Sequence, residues 1–577
     1  MKPDLVIRGG LLVDGTGASP RETDVVVTGG RIVSTERFGG EARDVLDARG
    51  CIVTPGFVDI HTHLDAQILW DPLATPSTLH GVTTVVVGNC GVGFAPCRPE
   101  DREFLMFLME GVEDIPRSAM QQGMEWGWVT FPEYLDFLER RPLGPNLAAH
   151  LSHAPLRIFV MGERGATDAE PDERELAAMR ACVREALEAG AVGFSTGRTT
   201  MHRTPAWDPV PGTFASRREL ETLLDGMREA GRGVFELVPY GAAGEDPDGL
   251  EREFEWLFDL SRRHGRPTSL ALVQVLAYPD RWERAFERID AEQAPVFPQV
   301  AVRSVGLLLS FRTALSPLLL FPAASELLGK PTEEVARALQ DEGLRTRLAE
   351  SLGDGDAPIL GGLARLENVF FLEGDGVKAY ETKPERSVVA QAKASGVSPG
   401  EFLLRRFLER NLDGFLLLPL YNPDLDAVAT MLRHPRSTIG LGDAGAHTTQ
   451  TSDASFPTFL LAYWVRERKL LSLEHAVRKL TSEPARLWGI TDRGTVEPGK
   501  AADLDVIDVE RLDLRLPEVR HEFPGGAAHL VQEATGYVAT IVNGEVVVRE
   551  GRPTGALPGR LLRGGRSQGT SHSTSNP

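Results

Sequence analysis

Cysteine is scarce in this sequence, with four residues in a chain of 577. So few cysteines exclude a dense disulfide framework, and we therefore expect a reducing, cytoplasmic environment. Apolar runs long enough to cross a bilayer are also missing, which predicts that the membrane is not a partner. The first residues carry charges and glycines where a signal peptide needs an unbroken apolar core.

Positive charge is in short supply. Lysine and arginine total 62 against 82 aspartates and glutamates, giving a net charge of −20. This balance argues against binding to nucleic acid or to an anionic membrane surface. Hydrophobic residues at 42% and charged residues at 25% are typical of a soluble globular protein. The sequence leaves the oligomeric state open, and a homo-oligomer is compatible with it.

The two ends of the chain share a β-type texture. Short β-branched runs with glycine turns occur at residues 5–10 and 24–30, and similar runs return at 502–508 and 537–548. The last of these contains Asn543-Gly544, which favours a tight hairpin turn. We therefore predict one small β domain formed by both chain termini, residues 1–57 and 491–560.

The middle of the chain alternates strands and helices. A β-branched run at residues 83–88 and a helical pattern at 172–189, ended by Gly190, are examples. Repeated over several hundred residues, the pattern predicts an α/β fold with a (β/α)8 TIM-type barrel over residues 58–490. The irregular segment at about 281–424 predicts an insertion over the barrel mouth, and the polar tail at 561–577 is expected to be disordered.

The strongest chemical signal is His61-Thr62-His63, directly after an apolar run. Residues i and i+2 of a strand point to the same face, and at the C-terminal mouth of a barrel that face lies inside. Two imidazoles there predict a site for a divalent transition metal. A surface pair of histidines is the alternative.

Two further residues follow predicted strands between glycines. Cys90, in the sequence GNCG, is presented by a sharp turn and is a candidate metal ligand; the alternative is an inert buried thiol. Asp443, in the sequence GLGDAGAH, is a candidate metal ligand and proton acceptor; the alternative is a helix cap. His447 in the same segment is a candidate partner or an ordinary loop histidine.

The segments that carry these residues, PGFVDIHTHLD, HGVTTVVVGNCG, AVGFSTG and STIGLGDAGAH, resemble the amidohydrolase superfamily. Within it they resemble the N-acyl-D-amino-acid deacylase (D-aminoacylase) group, and the resemblance runs nearly end to end. It implies a metal-bearing (β/α)8 barrel with a β-sandwich made from both chain termini, and hydrolysis of an amide by a metal-activated water. By this resemblance His61, His63, Cys90 and Asp443 are site positions, and Asp443 is the catalytic acid and base.

The sequence also departs from that group. The deacylases carry a histidine after the fifth and the sixth strand, whereas the corresponding segments here contain Glu236 and Gln274. Basic residues that would hold a substrate carboxylate are missing there too. We therefore predict a metal site of His61, His63, Cys90, Asp443 and Glu236, holding one or two divalent ions, with zinc suiting these donors best.

Five residues are assigned to substrate binding, of which two are also alternative sources of imidazole, His153 and His202. The others are Arg198, Gln274 and His447. Arg198 is a candidate partner for a substrate anion, with an internal ion pair as its alternative.

The sequence therefore predicts a metal-dependent amidohydrolase. It acts on a small-molecule amide, first of all an N-acyl (D-)amino acid or a related N-acyl amide. A cyclic amide hydrolase or a deaminase on the same scaffold is the alternative, because fold alone does not determine the reaction. A third hypothesis is a metal-free, non-catalytic binding protein, which the missing histidines keep open.

Overall fold

The computed structural model describes residues 2–353 and 365–564, and its centre is a sheet of eight parallel strands. Each strand pairs with the next one along the chain, which fits a TIM-type barrel. The segments that follow the first and last strands meet where His63 N donates to Ala444 O at 2.8 Å. In chain order the strands are Phe57–Asp59, Val82–Val87, Asn146–Ser152, Gly193–Gly197, Val234–Val238, Thr268–Ala271, Val296–Val300 and Thr438–Ile439.

The barrel strands are buried on both faces, as their apolar and β-branched composition predicts. Every residue of Val82–Val87 is buried. Helices separate most successive strands: Arg102–Glu113, Arg117–Gly123, Phe131–Glu139, His153–Met161, Glu173–Ala189, Arg217–Ala230, Gly249–His264, Arg281–Glu292 and Leu425–Arg433. Leu473–Leu480 and Ser482–Leu487 follow the last strand.

The predicted helix before Gly190 is confirmed and shows why it begins where it does. Asp172 accepts from two backbone amides of the first turn, and the Glu175 side chain accepts from Asp172 N at 2.7 Å. This capping box satisfies amides that otherwise lack a helical partner. The helix ends at Gly190, whose positive φ of 126° reverses the chain toward the fourth barrel strand.

Strands from both chain ends share one nine-stranded sheet. Ile52–Pro55 pairs antiparallel with Leu504–Ile507, which joins the two ends directly. The predicted hairpin around Asn543-Gly544 is confirmed, with both residues at positive φ. The sandwich arrangement itself stays a prediction. The sheet contains Leu5–Leu12, Arg21–Thr28, Arg31–Ser34, Asp44–Asp47, Ile52–Pro55, Leu504–Ile507, Tyr537–Val542, Glu545–Arg549 and Arg552–Pro553.

An additional unit lies between the seventh and eighth barrel strands. Its strands Val305–Leu309, Phe370–Leu372 and Phe415–Tyr421 form a separate sheet with its own apolar cluster. Its helices are Thr332–Ala338, Glu342–Leu352, Val388–Ser395 and Pro399–Leu408. The sequence predicts an insertion at about 281–424, but the helix Arg281–Glu292 and the strand Val296–Val300 belong to the barrel. The chain therefore leaves the barrel only after residue 300.

The predicted tail begins inside the folded part of the protein. Leu561 and Leu562 are buried, and Leu562 N donates to Leu147 O of the third barrel strand at 2.7 Å. Residues 565–577, which carry the remaining prediction of disorder, lie outside the described residues. Among the helices of residues 2–353 and 365–564, none combines the length and the apolar character needed to span a bilayer.

Candidate metal centre

His61 and His63 lie directly after the first barrel strand, and both side chains are 1–2% exposed. His61 Nε2 is 3.2 Å from Cys90 Sγ. One ligand atom from each of His61, His63 and Cys90 lies within 4.8 Å of the other two. The interior face predicted from the i, i+2 spacing is therefore where the imidazoles are found, and the surface alternative is wrong.

Asp443 joins this group from the opposite end of the sheet. Its Oδ1 lies 3.3 Å from His61 Nε2 and 4.0 Å from His63 Nε2. The residue has φ of 44°, in the left-handed region. Gly445 permits the approach, because a Cβ there would lie 2.8 Å from the His63 carbonyl. Strained backbone of this kind is concentrated at functional sites.

Cys90 is also left-handed, with φ of 56°, and Glu236 holds its backbone. Cys90 N donates to Glu236 Oε2 at 2.9 Å. Glu236 Oε1 lies 3.9 Å from His61 Nδ1, the ring atom opposite the one that faces the thiol. Glu236 thus positions Cys90 and lies outside the three-residue cluster, and its role as a ligand stays a prediction.

Two residues that the sequence analysis missed contact the other sides of the imidazoles. Gln299 Oε1 accepts from His61 Nδ1 at 2.7 Å, and Glu113 Oε1 lies 3.3 Å from His63 Nδ1. Such contacts orient metal-binding histidines. Gln299 is the penultimate residue of the barrel strand Val296–Val300. A polar residue at the C-terminal end of a barrel strand is typical of a site residue, so its position could have indicated this role. Glu113 ends a helix far from any barrel strand in the chain, and no local pattern indicates it.

The electrostatics of the cluster favour a cation. Burial raises the pKa of the Cys90 thiol well above its usual range, and the nearby carboxylates add to the effect. Burial likewise raises the pKa of Glu113 well above normal, of Glu236 to about 7 and of Asp443 to about 6. Buried acidic donors gathered in this way fit a divalent ion, and imidazole with thiolate fits zinc.

A cavity of about 270 Å³ opens onto the cluster. Among the described residues that line it, none is a lysine or an arginine. Two residues assigned to substrate binding, His202 and His447, are in its wall. Desolvation lowers the pKa of His202 to about 4, with the neighbouring imidazoles of His447 and His61 contributing.

The other three residues assigned to substrate binding are absent from the cavity wall. His153 is buried between Thr196 and Glu219, with hydrogen bonds of 2.8 and 2.9 Å. Arg198 donates to Glu253 Oε2 at 2.8 Å, so the internal ion pair is what the structure contains.

Gln274 connects the barrel to the returning insertion. Its backbone N donates to Asn422 Oδ1 at 2.8 Å, and its Oε1 accepts from Asp424 N at 3.1 Å. All three polar side chains therefore have partners within the protein and lie outside the cavity lining, and their role as substrate contacts stays a prediction.

The chain is similar to known proteins along most of its length. The model of the Amidohydrolase family matches residues 44–548. An uncharacterized protein of Mycobacterium tuberculosis is 30% identical, covering 97% of this chain and 96% of that protein. N-acyl-D-aspartate deacylase of Alcaligenes xylosoxydans xylosoxydans is 28% identical, covering 97% and 95%. The crystal structure of N-acyl-D-glutamate deacylase from Bordetella bronchiseptica, complexed with zinc and a phosphonate inhibitor, is 25% identical with a TM-score of 0.64, covering 98% and 100%.

Proposed function

We propose, from the premise that this chain belongs to the amidohydrolase family, that it hydrolyses the amide bond of an N-acyl (D-)amino acid or a related N-acyl amide. The protein is a hydrolase acting on carbon–nitrogen bonds. The identity of the metal ion and the class of substrate are proposals.

The residues that would hold the metal are His61, His63 and Cys90, with Asp443 beside them. Zinc is the proposed ion, in one or two copies. When bound, a divalent metal supplies Lewis acidity, which makes water a stronger acid and polarises a carbonyl group. Glu236 is retained as a candidate for a second ion.

Asp443 carries out the proton transfers in this proposal. Its carboxylate accepts a proton from the attacking water and then donates this proton to the nitrogen of the breaking C–N bond. The product therefore leaves as a neutral amine and not as an amide anion. Asp443 Oδ1 lies 3.3 Å from His61 Nε2, so the carboxylate is next to the position that a metal-activated water would occupy.

The observation that carries the proposal is the position of His61 Nε2, 3.2 Å from Cys90 Sγ and 3.3 Å from Asp443 Oδ1. Three residues from distant parts of the chain thus converge at one buried point. The test is elemental analysis of the purified protein, followed by chelation, reloading with zinc and measurement of amine release. The panel contains N-acetyl-D-amino acids, N-acetyl-L-amino acids and cyclic amides.

Ring opening of a cyclic amide, or deamination, is the second candidate. It is favoured by the absence of lysine and arginine from the described cavity lining, because neither reaction needs a cation to hold a free carboxylate. Hydrolysis of the cyclic compounds alone, detected as a new carboxyl group and amino group on one ring-opened product, would select ring opening.

We also propose that the chain is divided into a barrel, residues 58–490, and a sandwich formed by 1–57 and 491–560. The support is the nine-stranded sheet in which Ile52–Pro55 pairs with Leu504–Ile507. A cytoplasmic location and homo-oligomers remain proposals that fractionation and light scattering test.

A further inference from the structure

The cavity above the candidate metal centre has an aliphatic wall. Beyond the centre, the polar part of the lining consists of the acidic Glu113, two histidines and uncharged residues such as Thr199 and Gln450. The aliphatic part comes from the ends of the fifth and sixth barrel strands and from the insertion sheet. These residues are Val238, Ala271, Val273, Val305, Leu307 and Leu420.

Three arginines are linked to lining residues, two as neighbours in the sequence and one by a hydrogen bond, and all three are already bound to other groups. Arg198 donates to Glu253 and to a backbone carbonyl, each at 2.8 Å. Arg281 is 3% exposed and donates to Ala242 O at 3.0 Å. Arg203 donates to two backbone carbonyls, both at 2.9 Å. None of the three is directed at a ligand in the cavity.

The centre itself has no surplus positive charge to offer. A divalent ion held by the Cys90 thiolate beside the Asp443 carboxylate is balanced by these two groups. The histidines of the wall are poor substitutes for arginine. His447 Nε2 already faces Glu113 Oε2 at 3.9 Å, and desolvation favours neutral His202.

We propose that the substrate is an N-acyl amide without a free carboxylate, with aliphatic or aromatic groups that fill this cavity. This inference rests on the proposed amide hydrolysis and narrows it. A carboxylate entering the cavity would lose its water without gaining a charged partner, whereas apolar groups gain from burial. The two deacylases named above are named for N-acyl-D-aspartate and N-acyl-D-glutamate, so this chain would differ from them in substrate class.

Three matched compounds test the inference on the zinc-loaded protein: N-octanoyl-D-leucine, N-octanoyl-L-leucine and N-octanoyl-3-methylbutylamine, which is the same molecule without the carboxyl group. We expect kcat/KM for the neutral amide to exceed that of both acids by roughly 100-fold, because the acids leave a charge unpaired. If either acid releases amine as fast as the neutral amide or faster, the inference is contradicted while the proposed amide hydrolysis stands. No release from any of the three, or from the panel above, contradicts the proposed function, and the inference is then rejected with it.

A binding measurement separates recognition from turnover. In the zinc-loaded wild-type protein, calorimetry gives Kd without turnover for analogues of the three compounds in which a CH2 group replaces the amide nitrogen. Tighter binding of the neutral analogue is the expected result, and equal or tighter binding of an acidic analogue overturns the inference.

A cation placed on the wall provides the converse test. Val273 is half-buried and lines the cavity, so a lysine there can reach the ligand. We expect Val273→Lys to raise kcat/KM for the acids relative to the neutral amide by roughly 10- to 100-fold, the effect of one charge-assisted hydrogen bond. Val273→Met, of similar length without charge, is the control. An unchanged ratio in folded Val273→Lys contradicts the inference, and if that variant does not fold, the wild-type comparison decides.

Discussion

His61 Nδ1 lies 2.7 Å from Gln299 Oε1. An amide oxygen only accepts hydrogen bonds, so Nδ1 donates and the lone pair of the neutral ring is on Nε2. Nε2 is the atom that faces Cys90 Sγ. Gly440 makes room for this contact, because a Cβ there would lie 2.5 Å from the same amide oxygen. The seventh strand thus determines which nitrogen of a first-strand histidine can bind metal.

Replacing Gln299 by leucine should weaken metal binding. Without the acceptor, the His61 ring loses both its tautomer preference and its orientation, and we expect metal affinity to fall about 10- to 100-fold. Zinc affinity is measured by competition with a chromophoric chelator. Gln450→Leu is the matched control, since Gln450 lines the cavity outside the three-residue cluster. Equal affinity in Gln299→Leu and wild type would contradict the orienting role.

Asp443→Asn should separate catalysis from metal content. The amide cannot take up a proton from water, so we expect kcat to fall by roughly 100- to 10,000-fold. Metal content should remain close to wild type, because His61, His63 and Cys90 are unchanged. Asp426→Asn, at an aspartate whose side chain is 81% exposed, should retain full activity. Full activity in Asp443→Asn would exclude it as the proton acceptor.

His61→Ala should lower the metal content of the purified protein, measured by mass spectrometry of the element. The change removes the imidazole nearest to both Cys90 Sγ and Asp443 Oδ1. His202→Asn is the comparison, because His202 lines the cavity without belonging to the cluster. Unchanged metal in His61→Ala, or an equal loss in His202→Asn, would place the ion elsewhere.

His150 should make the fold sensitive to acid. It is 2% exposed, and Trp488 Nε1 donates to its Nε2 at 2.9 Å. Burial lowers its pKa from 6.5 to about 3, with a smaller contribution from His61. Below pH 6.5 the unfolded chain binds a proton that the folded chain excludes, so stability falls as pH falls through this range. The loss is about 1.4 kcal/mol per pH unit.

The test compares unfolding free energies at pH 7.5 and 5.5. We expect His150→Gln, which keeps an acceptor for Trp488, to lose about 1.4 kcal/mol less than wild type over this interval. The exposed His521 provides the control variant His521→Gln, which should behave as wild type. An unchanged pH dependence in His150→Gln would show that another group controls the acid sensitivity.

The barrel and the core of its site follow local rules and were therefore predictable. Period-two spacing placed His61 and His63 on one face, and the glycines around Cys90 and Asp443 indicated the turns that present them. These features depend only on neighbours in the chain. The amide and carboxyl partners, Gln299 and Glu113, depend on how distant elements pack, and no local pattern records that packing.

For the same reason, the sequence could not show which candidate substrate contacts face the cavity. A histidine or arginine at a strand end indicates the mouth of a barrel, but only the packing decides between ligand and internal partner. Glu219 accepts from His153 at 2.9 Å, and Glu253 accepts from Arg198 at 2.8 Å. Both glutamates lie on helices that connect successive barrel strands. The sequence of each helix is that of an ordinary amphipathic helix. The sequence gives no sign that these two face inward.

The sheet shared by both chain ends has a consequence for synthesis. Arg31 donates to the carbonyl of Gly499, 468 residues later. Ile52–Pro55 likewise pairs with Leu504–Ile507, which is synthesised only after the barrel. While the ribosome translates the barrel, the nascent chain must carry an open β-edge for most of its elongation. Such an edge can pair with strands of other molecules. A chain whose translation ends before residue 504 would therefore keep this open edge. We expect such a chain to aggregate even if its barrel has formed.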